Sequence, residues 1–168
     1  MADSKAKITA NIIPFDWTRS VSEKEISIFK EENKIWFPKD YLNFILKFNG
    51  AEKIEPRTFY FVNPKLYSHI PEYRQSSYIE CLYSLNTPPN KNTYSVTENI
   101  RLKQNRIPPG FIPIGRDTGD NEICLCLLEG PDYGAIYFWD HEFEEEKPTI
   151  NNMTKISESF SNFLENLV

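Results

Sequence analysis

The chain has 168 residues, 40% hydrophobic and 26% charged, with 24 acidic against 19 basic side chains and a net charge of −5. That size suits one core and is short for two, and an aromatic share of 14% argues against intrinsic disorder. The 12 Pro and 6 Gly follow no period, and three Cys make no disulfide framework. No apolar run nears the ~18 residues that cross a bilayer, and residues 1–13 hold no apolar stretch of the ~7–15 residues of a secretory leader. A cytoplasmic protein with reduced thiols is the expectation.

Residues 1–20 show little pattern and read as a loosely ordered arm, with Ile12, Ile13, Phe15 and Trp17 available to dock on a single domain over residues 21–168. Ser22 followed by Glu25 has the spacing of a capping box, and Val21, Ile26 and Phe29 give a helix ending near Asn33. Pro38 suits the first position of a second helix, Asp40 its first turn, and Tyr41, Phe44, Ile45 and Phe48 recur at i, i+3, i+4, i+7. Asn49-Gly50 supplies a left-handed stop.

From Thr58 the period changes to that of strands, at residues 59–62 and 78–85, with irregular stretches at 63–77 and 86–92. Ser95 with Glu98 starts a short helix to about Gln104, which Ile107-Pro108-Pro109-Gly110 breaks. Residues 111–114, 122–128 and 135–139 then read as an antiparallel meander. Its turns are Asp117-Thr118-Gly119-Asp120, where Gly119 is expected to supply positive φ, and Gly130-Pro131-Asp132-Tyr133-Gly134. Ile156, Phe160, Phe163, Leu164 and Leu167 predict a final amphipathic helix. The whole is α+β, a mainly antiparallel sheet with helices packed on one face.

Charge is uneven. Residues 115–148 hold ten acidic side chains and two basic ones, a net −8, leaving +3 elsewhere. No basic stripe for phosphate is evident, and the acidic segment repels nucleic acid while attracting cationic surfaces. A solvated rim of hairpin loops is the plain alternative.

Little in the sequence points to catalysis. The two histidines, His69 and His141, lie in no recognisable triad, and no nucleophile elbow, P-loop or dinucleotide fingerprint is present. Cys81, Cys124, Cys126 and His141 number four potential ligands, but zinc sites take theirs in tight pairs from turns, so small apolar fillers of a buried sheet face is the better reading of the cysteines. Residues 117–122 lack the ligand alternation of a calcium loop. No catalytic residue, metal or cofactor is predicted.

Three blocks stand out: Phe37-Pro38-Lys39-Asp40-Tyr41-Leu42-Asn43-Phe44-Ile45-Leu46-Lys47-Phe48-Asn49-Gly50, then Ile107-Pro108-Pro109-Gly110-Phe111-Ile112-Pro113-Ile114-Gly115-Arg116-Asp117-Thr118-Gly119-Asp120-Asn121-Glu122-Ile123-Cys124-Leu125, and Gly134-Ala135-Ile136-Tyr137-Phe138-Trp139-Asp140-His141-Glu142. Together they resemble the SMI1/KNR4 (SUKH) superfamily. The likeness runs over about residues 21–168. Asp120 stands where the family commonly has another Gly, and residues 63–92 show no match. The resemblance implies an α+β fold and, for many bacterial members, an immunity protein that binds and neutralises a cognate polymorphic or contact-dependent toxin, often a nuclease. Other members are non-enzymatic regulatory scaffold modules that bind a protein or peptide.

The expected partner is therefore a protein toxin domain, neither nucleic acid nor membrane, with the chain itself a monomer or weak dimer. The expected contact residues are Asp117, Asp120, Asp132, Tyr133, Asp140, His141, Glu142, Glu144, Glu145 and Glu146. Tyr73 is a second candidate aromatic anchor.

Overall fold

The structure, a computed structural model, describes residues 10–63 and 74–168. Strand β1 (Asn11–Ile13) leads to helix α1 (Glu23–Asn33), α2 (Lys39–Phe48), β2 (Lys53–Glu55), β3 (Thr58–Phe61) and β4 (Gln75–Leu82). A short 3-10 segment, α3 (Val96–Lys103), β5 (Phe111–Asp117), β6 (Glu122–Cys126), β7 (Ile136–Trp139), β8 (Met153–Ser157) and α4 (Phe160–Glu165) follow. Strands β3 to β8 form one antiparallel sheet in chain order, and β1 pairs with β2 in a small second sheet.

The helix ends form where the sequence places them. Ser22 and Glu25 make a reciprocal capping box on α1. Pro38 stands just before α2, one position earlier than expected, and Asn49 (φ 49°) and Gly50 (φ 98°) turn the chain left-handed at its end. Asn49 also ties three segments together, since its Nδ2 donates to Arg19 O and its Oδ1 accepts from Leu85 N. Ser95 caps α3 through Glu98 N, whereas the Glu98 carboxylate is taken by Arg101, so the second box is half made.

Two elements depart from the sequence reading. Ile156 lies in β8 and not in the final helix, which begins at Phe160 behind the Ser159 cap. Residues 11–13, without pattern in the sequence, pair with β2, while Phe15 is buried against Phe29, Tyr83 and Val96.

The strands alternate between two covered faces. Phe59, Ile79, Ile114, Ile123, Leu125, Ile136 and Phe138 point to one side and meet Tyr41, Phe44 and Ile45 of α2 and Phe160 and Phe163 of α4. Glu122, Cys124, Trp139 and Met153 point to the other, and there α3 and the Ile107 loop lie over the sheet. Helices thus pack on both faces and not on one as the sequence reading had it, α3 lying opposite α2 and α4. Among the described residues no helix is long and apolar enough to cross a membrane.

Candidate protein-binding surface

The acidic segment of the sequence divides by what each carboxylate touches. At the β5–β6 turn, Asp117 is only 2% exposed and accepts from Ser77 Oγ (2.6 Å), the amides of Gly119 and Asn121, and Asn121 Nδ2. Asp117 is therefore a turn-forming residue that presents no charge to a partner, contrary to its place in the expected contact set. The left-handed residue of this turn is Asp120 (φ 60°) and not Gly119. A Cβ at Gly119 would sit 3.2 Å from Asn121 Nδ2, so a side chain there would press on the amide that holds Asp117. The turn leaves Asp120 exposed.

Glu122 is also withdrawn from the surface. Its carboxylate accepts from Lys103 Nζ at 2.5 Å and Tyr83 OH at 2.9 Å beneath α3. Burial pushes its pKa upward, against the pull of Lys103, Tyr83 and Arg116. The guanidinium of Arg106 lies 5.1 Å from the Trp139 ring centre beside this cluster and forks onto Glu144.

Beyond β7 the chain makes a 3-10 turn at His141–Phe143, capped by Asp140 through Glu142 N. Burial, together with the charge of Glu142, raises the Asp140 pKa despite that hydrogen bond. Asn121 joins this turn to the β5–β6 turn: its Oδ1 accepts from the His141 amide (3.1 Å) and lies 2.7 Å from His141 Nδ1. Since Asn121 Nδ2 donates to Asp117, the amide orientation is set and Oδ1 faces a proton on His141 Nδ1. The two turns form one rim on which Asp120, Glu142 and Glu146 are exposed and, among the described residues, unpaired by any ion pair. Glu145 accepts from Asn151. Glu144 is held by Arg106, which draws its pKa down.

Asp132 and Tyr133 lie elsewhere, on the β6–β7 turn. Lys155 and Tyr137 both hydrogen-bond Asp132 and lower its pKa. Tyr133, partly exposed, donates through its hydroxyl to Trp36 O at 2.8 Å, and the turn packs on Pro38 at Gly134. Tyr133→Phe is expected to cost about 0.5–1.5 kcal/mol, read as a lowered urea midpoint at unchanged slope, because one intramolecular hydrogen bond is lost at a partly wet site.

Cys124 and Cys126 share the second sheet face with Ala135 and Trp139, and Cys81 packs with Phe15 and Tyr83. Burial raises all three thiol pKa values, that of Cys81 to about 12. Among the described residues no three His, Cys, Asp or Glu side chains group as metal ligands. His69 and Tyr73 lie outside the described residues.

The exposed aromatics that sequence reasoning passed over are Trp36, Tyr60 and Tyr78. For Tyr60 the signal was present: in Thr58-Phe59-Tyr60-Phe61 the period of two sends both Phe inward and Tyr outward.

The chain is 30% identical over 138 aligned residues to the SPbeta prophage-derived uncharacterized protein YokK of Bacillus subtilis (strain 168), with 78% of this chain and 66% of that relative covered, slightly under two thirds of its length. No solved structure matches. The model of the SMI1 / KNR4 family (SUKH-1) matches residues 20–166, which is most of the chain and includes all three motif blocks. The protein therefore belongs to the SMI1/KNR4 family (SUKH-1).

Proposed function

We propose that this protein is an immunity protein, which binds a cognate polymorphic or contact-dependent toxin domain in the cytoplasm and neutralises it by covering its active surface. The family match over residues 20–166 carries the reading, because the resemblance implies immunity for many bacterial members. The rim of Asp120, Glu142, Glu145 and Glu146, with His141 between its two turns, supports it by offering negative charge to a cationic partner such as a nuclease. Its carboxylates act mainly on encounter, since exposed charges steer association more than they hold a complex together.

The test is co-expression with the toxin domain encoded beside the gene, reading survival and co-elution. Rescue with a stable complex supports the reading, and killing unchanged with no complex overturns it. A partner that is not a toxin would favour a regulatory scaffold module. The rim has its own test. Glu142→Lys combined with Glu146→Lys is expected to slow association about tenfold at low ionic strength and to flatten its salt dependence, with dissociation little changed. Glu144 is left out of this variant because its charge is already answered by Arg106.

A further inference from the structure

The outer face of β3 and β4 is built of different residues from the acidic rim. Cα pairs Thr58↔Tyr78 and Tyr60↔Ser76 put Tyr60 and Tyr78 on the same side of the ribbon as diagonal neighbours. They are 50% and 48% exposed, although their strand neighbours Phe59, Phe61 and Ile79 are buried on the other side. The Arg57 guanidinium lies 5.6 Å from the centre of the Tyr78 ring. At the β3 edge, where this face meets the helix-covered one, a cleft of about 370 Å³ opens between β3, Ile156 and the C-terminal residues, lined by Phe59, Tyr60, Phe163, Val168 and Arg74. Arg57 and Arg74 have no acidic partner among the described residues, while Glu80, the carboxylate of this stretch, is taken by Arg116.

This face adjoins the rim directly. Thr118 N donates to Tyr78 O at 3.1 Å and Ser77 Oγ donates to Asp117, so the turn that carries Asp120 is fastened to the strand that carries Tyr78. The two surfaces divide the work that an interface needs. Glutamate and aspartate are scarce at the centres of protein interfaces, where tyrosine, tryptophan and arginine supply most of the binding energy, because rigid amphipathic rings and planar guanidiniums lose little on desolvation.

We propose, on the basis of the immunity reading above, that the Tyr60–Tyr78 face with Arg57 and Arg74 is the energetic centre of the toxin interface. The acidic rim beside it guides the approach. The partner surface that fits is a folded protein domain with cationic groups opposite Asp120 and Glu142, and an apolar side chain flanked by a carboxylate opposite the cleft and the arginines. That carboxylate would answer the two arginines, which have no acidic partner among the described residues. A uniformly basic partner would leave both guanidiniums facing like charge.

The experiment measures binding kinetics of the full chain against the toxin domain encoded beside the gene. Tyr60→Ala combined with Tyr78→Ala is expected to speed dissociation at least ~30-fold, the effect of losing a pair of anchor residues. Arg57→Glu, which leaves the strands untouched and guards against a folding defect in the double variant, is expected to weaken binding about tenfold or more. Trp36→Ala, at the exposed aromatic of the α1–α2 connection, is expected to leave affinity unchanged. If both β3–β4 variants bind like the wild type, the proposal is overturned while the immunity reading stands, and loss on Trp36→Ala alone would move the centre to that side. If the wild-type protein does not bind the toxin domain, the immunity reading fails and this proposal fails with it.

Discussion

Replacing Lys103 by methionine is expected to destabilise the protein by about 3–5 kcal/mol at neutral pH, since it strands a carboxylate under α3 with its cation removed. Glu122 is 2% exposed and, among the described residues, keeps the Tyr83 hydroxyl as its hydrogen-bond donor once Lys103 is gone. The pH dependence follows from the direction of its shift. Burial already raises the folded-state pKa above the usual 4.5, so the folded protein holds this proton more tightly than the unfolded chain does. The contribution of Glu122 to stability is then most favourable at acidic pH and declines as pH climbs through the window above 4.5. Without Lys103 the folded pKa rises further and the window widens. Urea titrations of Lys103→Met should therefore show a large deficit at pH 7 that shrinks towards pH 4. Adding Glu122→Gln should recover most of the loss at pH 7, and failure to do so would show that the lysine acts by packing on Trp139 rather than by charge.

Asn49→Ala is expected to cost about 3 kcal/mol. The residue holds a left-handed backbone that asparagine tolerates better than alanine, and its amide donates to Arg19 O and accepts from Leu85 N at a site that is almost wholly buried, so its loss leaves both groups without their partner. Asn49→Gly separates the two causes. Glycine keeps the turn and loses the hydrogen bonds, so its urea midpoint should lie between those of the wild type and the alanine variant.

Local chemistry is what the sequence declared best. The Ser22–Glu25 box, the Tyr41-Phe44-Ile45-Phe48 stripe with its Asn49-Gly50 stop, and the meander from Phe111 to Trp139 all involve signals within a few residues of one another, and all form. Strand β8 was hidden because Ile156 falls in phase with Phe160 and Phe163, so a strand residue completes a helical stripe by coincidence. Strand β1 has three residues and exists only through pairing with β2 some forty residues away. No local pattern announces such a contact.

The candidate site was legible as net charge and illegible as exposure. Ten acidic side chains in one segment were countable, yet Asp117 and Glu122 turn inward and Asp132 and Glu144 are neutralised by Lys155 and Arg106. Lys103, Arg106 and Lys155, and Ser77 on Asp117, lie 19 to 40 residues distant along the chain, while the other partners of Asp117, Gly119 and Asn121, are local. Asn121, which joins the two turns of the rim, carries no charge and so drew no notice in a count of charges.

The three cysteines, sealed in the sheet with burial holding their thiols protonated, tie sulfur chemistry to breathing of the fold. An oxidant or alkylating agent reaches Cys124 when the layer of Ile107 and Trp139 over it opens, while Cys81, on the floor of a cavity beside Phe15 and Tyr94, needs a smaller opening. Damage to these sulfurs is thus a record of how often the molecule has opened, and the native state passes through changes of redox environment unmarked.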